Sequence, residues 1–204
     1  MVSRRVFLEC ERILLRPLEE GDARGPYPEW FNDQEVCRGN SHHVYPYTMR
    51  DAEEYIRYAR TTQDDLVLAI VLKEDGRHIG NIALQGIHPV YRSADLSLVI
   101  GDRAAWGNGY GKEACRTVCD HGFSALNLNR IACATFDTNE PMKHIARFLG
   151  MKEEGRRKEA AFKDGHFVDV VEFGVLAGDY RRKWAGKAPS GGTRHRPRRR
   201  PDHP

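Results

Sequence analysis

The spacing of apolar and polar residues along the chain changes period several times, and each change predicts an element. Residues 6–8 and 13–15 are apolar runs on either side of the charged step Cys10-Glu11-Arg12 and predict strand near the start. A short helix carrying Trp30 and Phe31 is expected after Gly21 and Asp22. A clearer helix follows, capped by Thr48 or Asp51, with acids in its first turn and Ala52, Tyr55, Ile56 and Ala59 on one face. Residues 66–74, 77–87 and 94–102 then read as three strands separated by turn residues such as Asp75-Gly76 and His88-Pro89, which suggests an antiparallel meander. After Gly111 the period lengthens: Ala114, Cys115, Val118, Cys119, Phe123 and Leu126 recur at helical spacing. Residues 130–136 are a strand, and a helix from Asn139 or Pro141 to Leu149 is closed by Gly150. Two last strands, 154–162 and 166–175, meet at the hairpin signal Lys163-Asp164-Gly165. Strands in a meander, then strand, helix and hairpin, predict a mixed α/β sheet.

Composition narrows the setting. The 204 residues are 40% hydrophobic and 30% charged, enough for one globular domain without a disulfide or metal staple. No apolar run reaches the length of a membrane span and residues 1–10 lack the apolar core of a signal peptide, so a soluble, cytoplasmic protein is expected. Cys10, Cys37, Cys115, Cys119 and Cys133 are odd in number and scattered, which fits neither a disulfide framework nor a zinc knuckle; reduced, buried thiols are expected. The net charge of +3 conceals an asymmetry, because residues 181–204 hold nine of the 32 Lys and Arg and one of the 29 Asp and Glu. The body is therefore acidic and the tail basic. A domain 1–180 is expected, followed by a solvated tail 181–204 that an electrostatic contact with nucleic acid would suit.

The most informative stretch is residues 100–114, where a strand runs through a glycine-dense turn into an amphipathic helix. Gly107, Gly109 and Gly111 let the main chain turn its N–H groups inward and let a ligand approach closely, and the helix start adds its positive end. These features suit a phosphate or diphosphate. A Walker A loop is excluded, since Gly111-Lys112 is followed by Glu113 and the residue five before Gly111 is Trp106. A dinucleotide fingerprint fits poorly, since the spacing is GxGxG after an antiparallel meander. A plain strand-to-helix turn stays open on the glycines alone.

Trp106-Gly107-Asn108-Gly109-Tyr110-Gly111 resembles motif A of the GNAT superfamily of N-acetyltransferases. The runs 13–23, 139–151, 153–155 and 165–176 are similar to other parts of that family in order and spacing, nearest to the branch with ribosomal-protein N-terminal and spermidine acetyltransferases. The resemblance implies a mixed, mostly antiparallel sheet splayed in the middle and flanked by helices. It also implies acetyl-CoA as donor, its pantetheine along Val99, Ile100 and Gly101 and its diphosphate on the amides of Trp106, Gly107, Asn108, Gly109, Tyr110 and Gly111. Asn139 would reach the pantetheine from the neighbouring strand end. No metal is implied.

Catalytic residues are less clearly marked. Trp106 replaces the motif's Arg or Gln, and Ala146 stands where many members have a Tyr to protonate the departing thiolate. Met142 stands where the ribosomal-protein branch often has Ser. Asp95, aligned with a Glu common in the family, is the first candidate to take the proton of an incoming ammonium; His42 and His43 are the second. Trp30, Phe31, Asn32 and Gln85 would line the acceptor pocket. The expected reaction moves an acetyl group to a primary amine: a protein N-terminus, a polyamine or an amino sugar. The alternative is a silent acyl-CoA-binding module tethered by the basic tail. A homodimer through the apolar strand 168–176 is also open.

Overall fold

The computed structural model describes residues 6–187. Eight strands form one sheet in the order β1-β2-β3-β4-β5-β6-β8-β7. Strands β1 (Leu8–Glu9), β2 (Ile13–Pro17), β3 (Leu66–Leu72), β4 (His78–His88) and β5 (Ser93–Ile100) are antiparallel neighbours, and β3 to β5 form the predicted meander. Between β2 and β3 the chain makes a 3-10 turn at Glu20–Arg24, the short helix α1 (Tyr27–Trp30) and helix α2 (Met49–Thr61). Both expected caps of α2 are used: Thr48 Oγ1 accepts from Asp51 N, and Asp51 Oδ2 accepts from Thr48 N at 2.7 Å.

Helix α3 (Tyr110–Ser124) crosses to β6 (Arg130–Phe136), helix α4 (Glu140–Leu149) follows, and β7 (Lys152–Lys163) and β8 (His166–Leu176) make the predicted hairpin. β3 is an unbroken apolar run because both of its faces are covered. Leu68, Ile70, Ile82, Leu84 and Leu96 pack with the Ala114, Cys115, Val118 and Cys119 stripe of α3. Val67, Ala69, Val71 and Ala83 pack on the other side with Tyr27, Trp30 and Ile56 from α1 and α2.

Among the described residues seven strand pairs build the sheet, and the only parallel one is β5 with β6. It is three registers long, Ser93 with Arg130, Ala94 with Ile131 and Asp95 with Ala132. Beyond it β5 runs on to Ile100 and β6 to Phe136 without pairing with each other, so the sheet opens into a wedge at its centre. α4 is set beside this opening by Asn139, whose Oδ1 accepts from Met142 N at 3.1 Å, and ends at Gly150, whose φ of +89° a side chain rarely adopts.

Two expectations are corrected. The segment 168–176 is not an edge: β8 lies between β6 and β7, because the hairpin folds its first strand outward. The outer strand is β7, whose sequence KEEGRRKEAAFK presents a charged row that discourages strand addition. The chain also stays packed beyond Tyr180. Helix α5 (Ala177–Trp184) carries Trp184 against Phe148, with ring centroids 5.2 Å apart, and places the Arg116 guanidinium 4.0 Å from the Trp184 ring. Tyr180 is buried and donates to Asp120 Oδ1 at 2.8 Å. The basic tail beyond Lys187, with its expected nucleic-acid contact, lies outside the described residues.

Candidate active site

The glycine-dense turn opens directly from the end of β5 that has parted from β6. Gly107 and Gly109 have φ of +76° and +82°, and Gly109 caps α3 from the left-handed region. A Cβ on Gly107 would meet nothing within 4 Å, which leaves the concave side of the turn open to a ligand. The turn proper closes with Trp106 N donating to Arg103 O, and the helix ladder begins with Glu113 N donating to Gly109 O. Among the described residues, the main-chain N–H groups between them, from Gly107 to Lys112, meet no acceptor. Several amides at a helix start with a glycine approach form an anion cradle.

Trp106 has a different task from the Arg or Gln it replaces. Its Nε1 donates to Ile100 O at 2.8 Å, tying the turn to the end of β5. Gly111 brings α3 close to the sheet, since a Cβ there would stand 3.1 Å from Leu98 Cδ2. Gly101 is equally constrained: a Cβ would overlap the indole of Trp30. Val99 to Gly101 thus runs from the wedge to the cradle with Trp30 as a wall behind it.

Asp95 is the last residue of β5 that pairs with β6, and Gln85 is its cross-strand partner on β4. The two therefore share a face at the apex of the wedge. Asp95 is exposed, and among the described residues its carboxylate makes no hydrogen bond or ion pair. The acids nearby are already engaged, Glu154 with Arg130 and Glu172 with Arg157. Cys133 of β6 is no nucleophile: burial and then the Asp95 charge push its thiol up to about 12. Cys115 and Cys119 are buried, and their thiols are raised by the same loss of solvent.

The loop joining α1 to α2 borders the wedge and carries the other candidates. Asn32 is used within the loop, donating to Tyr47 O at 2.7 Å and accepting from Tyr47 N at 2.8 Å. Trp30 is buried against Gly101 and, edge-on at 4.9 Å, against His78. Both set the shape of the pocket wall. The His42 ring lies 4.2 Å from that of Phe31, and its pKa is held below the usual range by loss of solvent around the ring and then by the Lys163 ammonium. An imidazole there is able to carry a proton. His43, with φ of +65°, is exposed. No hydrogen bond joins either histidine to Asp95, and among the described residues no group of three His, Cys, Asp or Glu could hold a metal ion.

Several organising contacts were not anticipated. Asn139 Nδ2 donates to Gly39 O at 3.0 Å, and Lys163 Nζ donates to His42 O at 3.2 Å, so α4 and the β7–β8 hairpin both hold the loop. Asn139 thus spends its amide on a cap and a latch. Arg12 grips the glycine turn from outside, with Nη1 donating to Asn108 O at 2.8 Å. Arg16, Asp22 and His78 form a buried set behind Trp30, with Arg16 Nη2 2.7 Å from Asp22 Oδ1. Such partners lie far apart in sequence, and local patterning carries no signal for them.

Comparison with known proteins agrees with this geometry. The family model for the acetyltransferase (GNAT) domain matches residues 12–152. The uncharacterized N-acetyltransferase p20 of Bacillus licheniformis is 29% identical over 177 residues, covering 85% of this chain and 97% of that protein. Spermidine N(1)-acetyltransferase of Escherichia coli (strain K12) is 26% identical over 168 residues, 82% of this chain and 88% of that protein. Among solved structures, spermidine N-acetyltransferase from Vibrio cholerae in complex with CoA and spermine superimposes with a TM-score of 0.76 at 24% identity, covering 83% of this chain and 98% of that one, a likeness of fold. With a splayed sheet, a glycine turn at its mouth and a family match over most of its length, the chain belongs to the GNAT acetyltransferase family and is an acyltransferase.

Proposed function

We propose that this acyltransferase moves an acetyl group from acetyl-CoA to a primary amine, with both bound in the wedge at once. The observation that carries the proposal is the continuous path from the end of β5, open on its β6 side, to the row of amides at Gly107 to Lys112 that meet no acceptor among the described residues. The donor supplies an activated thioester. The amides and the start of α3 would hold its diphosphate, while Val99 to Gly101 offer unpaired strand edge to the pantetheine amides.

Holding amine and thioester together is worth roughly 7–11 kcal/mol of barrier when the geometry is a near-attack one. The amine must first lose a proton. Asp95, a carboxylate free of ion pairs at the apex, is placed to attract an ammonium and to take that proton directly or through water. The amine nitrogen then bonds to the carbonyl carbon, the carbon–sulfur bond breaks and the leaving thiolate is protonated from solvent, since position 146 on α4 is alanine. His42 on the loop is the second group able to carry a proton.

The acceptor is a cationic amine. The excess of acid in residues 1–180 favours one, and the spermidine acetyltransferases among the relatives make polyamines the first acceptors to try. Thiol release from acetyl-CoA, followed with a panel of polyamines, amino sugars and peptide N-termini, tests the proposal. Amine-dependent release with at least one class is expected. CoA binding with no release for any amine would leave the chain a silent binding module.

A further inference from the structure

Arg12 heads β2 and lies 101 residues from Glu113 in sequence, yet the two are joined three times. Arg12 N donates to Glu113 Oε1 at 2.7 Å, Nε donates to Oε2 at 2.9 Å, and Nη2 lies 2.8 Å from Oε2. The same guanidinium donates to Asn108 O, covers the Tyr110 ring at 4.8 Å and stands 3.5 Å from where a Cβ on Gly109 would be. One side chain therefore touches the turn from Asn108 to Tyr110 and the first turn of α3 at Glu113.

The need for such a contact follows from Glu113. Its carboxylate sits in the first turn of α3, with only 9% of the side chain exposed. An acid there is favourable to the helix, but it competes with any other anion for the same positive end. A turn built to hold a diphosphate thus carries a fixed negative charge beneath it. Left unpaired in so little solvent, that charge would repel the ligand more strongly than a surface carboxylate would. The turn is also pliant, with two glycines at positive φ, and its Asn108 carbonyl would be free to rotate the adjacent amides without the Nη1 bond.

We infer that Arg12 is a positioning residue for the acetyl donor, cancelling the charge of Glu113 and pinning the Asn108 carbonyl so that the turn's amides face the diphosphate. The inference rests on the turn being the diphosphate site proposed above, and the experiment separates the two. Calorimetry with CoA on the full chain comes first: no heat with the native protein would remove the diphosphate site itself, whatever Arg12 does.

Given binding, Arg12→Ala is expected to weaken CoA about tenfold, with the gap narrowing at high salt. The double variant Arg12→Ala/Glu113→Gln, which has neither charge, should recover to within about threefold of the native affinity. Should Arg12→Ala fail to fold, Glu113→Gln alone decides: it leaves a cation beside the turn and should tighten CoA binding by about threefold. Native affinity in Arg12→Ala, a double variant as weak as the single, or weaker binding in Glu113→Gln would each overturn the inference. A merely structural Arg12 predicts no rescue in the double variant.

Discussion

Replacing Asn139 separates two tasks that the resemblance and the structure assign to one side chain. Its Oδ1 caps α4 and its Nδ2 latches the α1–α2 loop at Gly39, with an approach so close that a Cβ on Gly39 would collide with the amide. Asn139→Ala removes both bonds. Loss of the cap costs about 1 kcal/mol, and loss of a partly buried hydrogen bond costs about 1 kcal/mol more. A total of about 2 kcal/mol lowers the thermal midpoint of a domain of this size by about 4–8 °C. Asn139→Asp keeps an acceptor for Met142 N and places a charge at the helix start, worth about 0.3–1 kcal/mol, but has no donor for Gly39 O. It is expected to match the native protein in urea unfolding while amides in residues 38–47 exchange faster. If the side chain serves the pantetheine alone, Asn139→Ala would lose CoA affinity at unchanged stability. A cost below about 0.5 kcal/mol for Ala, or native loop exchange in Asp, refutes the latch.

Three further outcomes are expected. Asp95→Asn should lower turnover well beyond any change in CoA affinity; native turnover in the variant removes Asp95 as the base. Trp184→Ala strips α5 of its contacts with Phe148 and Arg116 and should cost about 2 kcal/mol in urea unfolding, whereas an unchanged midpoint would return the end of the folded domain to Tyr180. Asp137 is pushed down from 3.8 to about 2 by Arg156 and then by Lys143. A depressed carboxyl contributes stability above its unfolded value and loses it as pH falls from there towards the folded one, so Asp137→Asn should reduce the loss of stability between pH 4 and pH 2. An identical acid transition in the two proteins would count against those ion pairs.

Much of the fold was legible because its elements are local. Asp75-Gly76 and the strand periods carry the meander, Thr48 and Asp51 close one capping box, and Asn139 and Gly150 bound α4. The glycine turn was legible for the same reason, since left-handed backbone selects its own residue. The misses come from packing between distant segments. β7 begins at Lys152 although its first residues are charged, because an outer strand needs no apolar face of its own. Trp184 and Tyr180 are four apart on one helix face, but the basic residues around them masked the pattern. Chain order also hid which hairpin strand would lie outside, and therefore that β8 is interior. At the site, Asn139 with Gly39 and Arg12 with Glu113 are each about a hundred residues apart, so no window on the sequence contains both partners.

The three-register junction of β5 with β6 bears on how the molecule assembles. Before it, β1–β2, β3–β4 and β4–β5 are zipped by short turns while α1 and α2 intervene between β2 and β3, and the strands after it include a tight hairpin, so much of each portion forms from neighbours along the chain. Uniting them requires the crossover through α3 and returns few ladder bonds, which makes it a late and lightly held joint. A molecule lodged in that joint acts as a rivet between two halves, slowing their separation far more than it hastens their union.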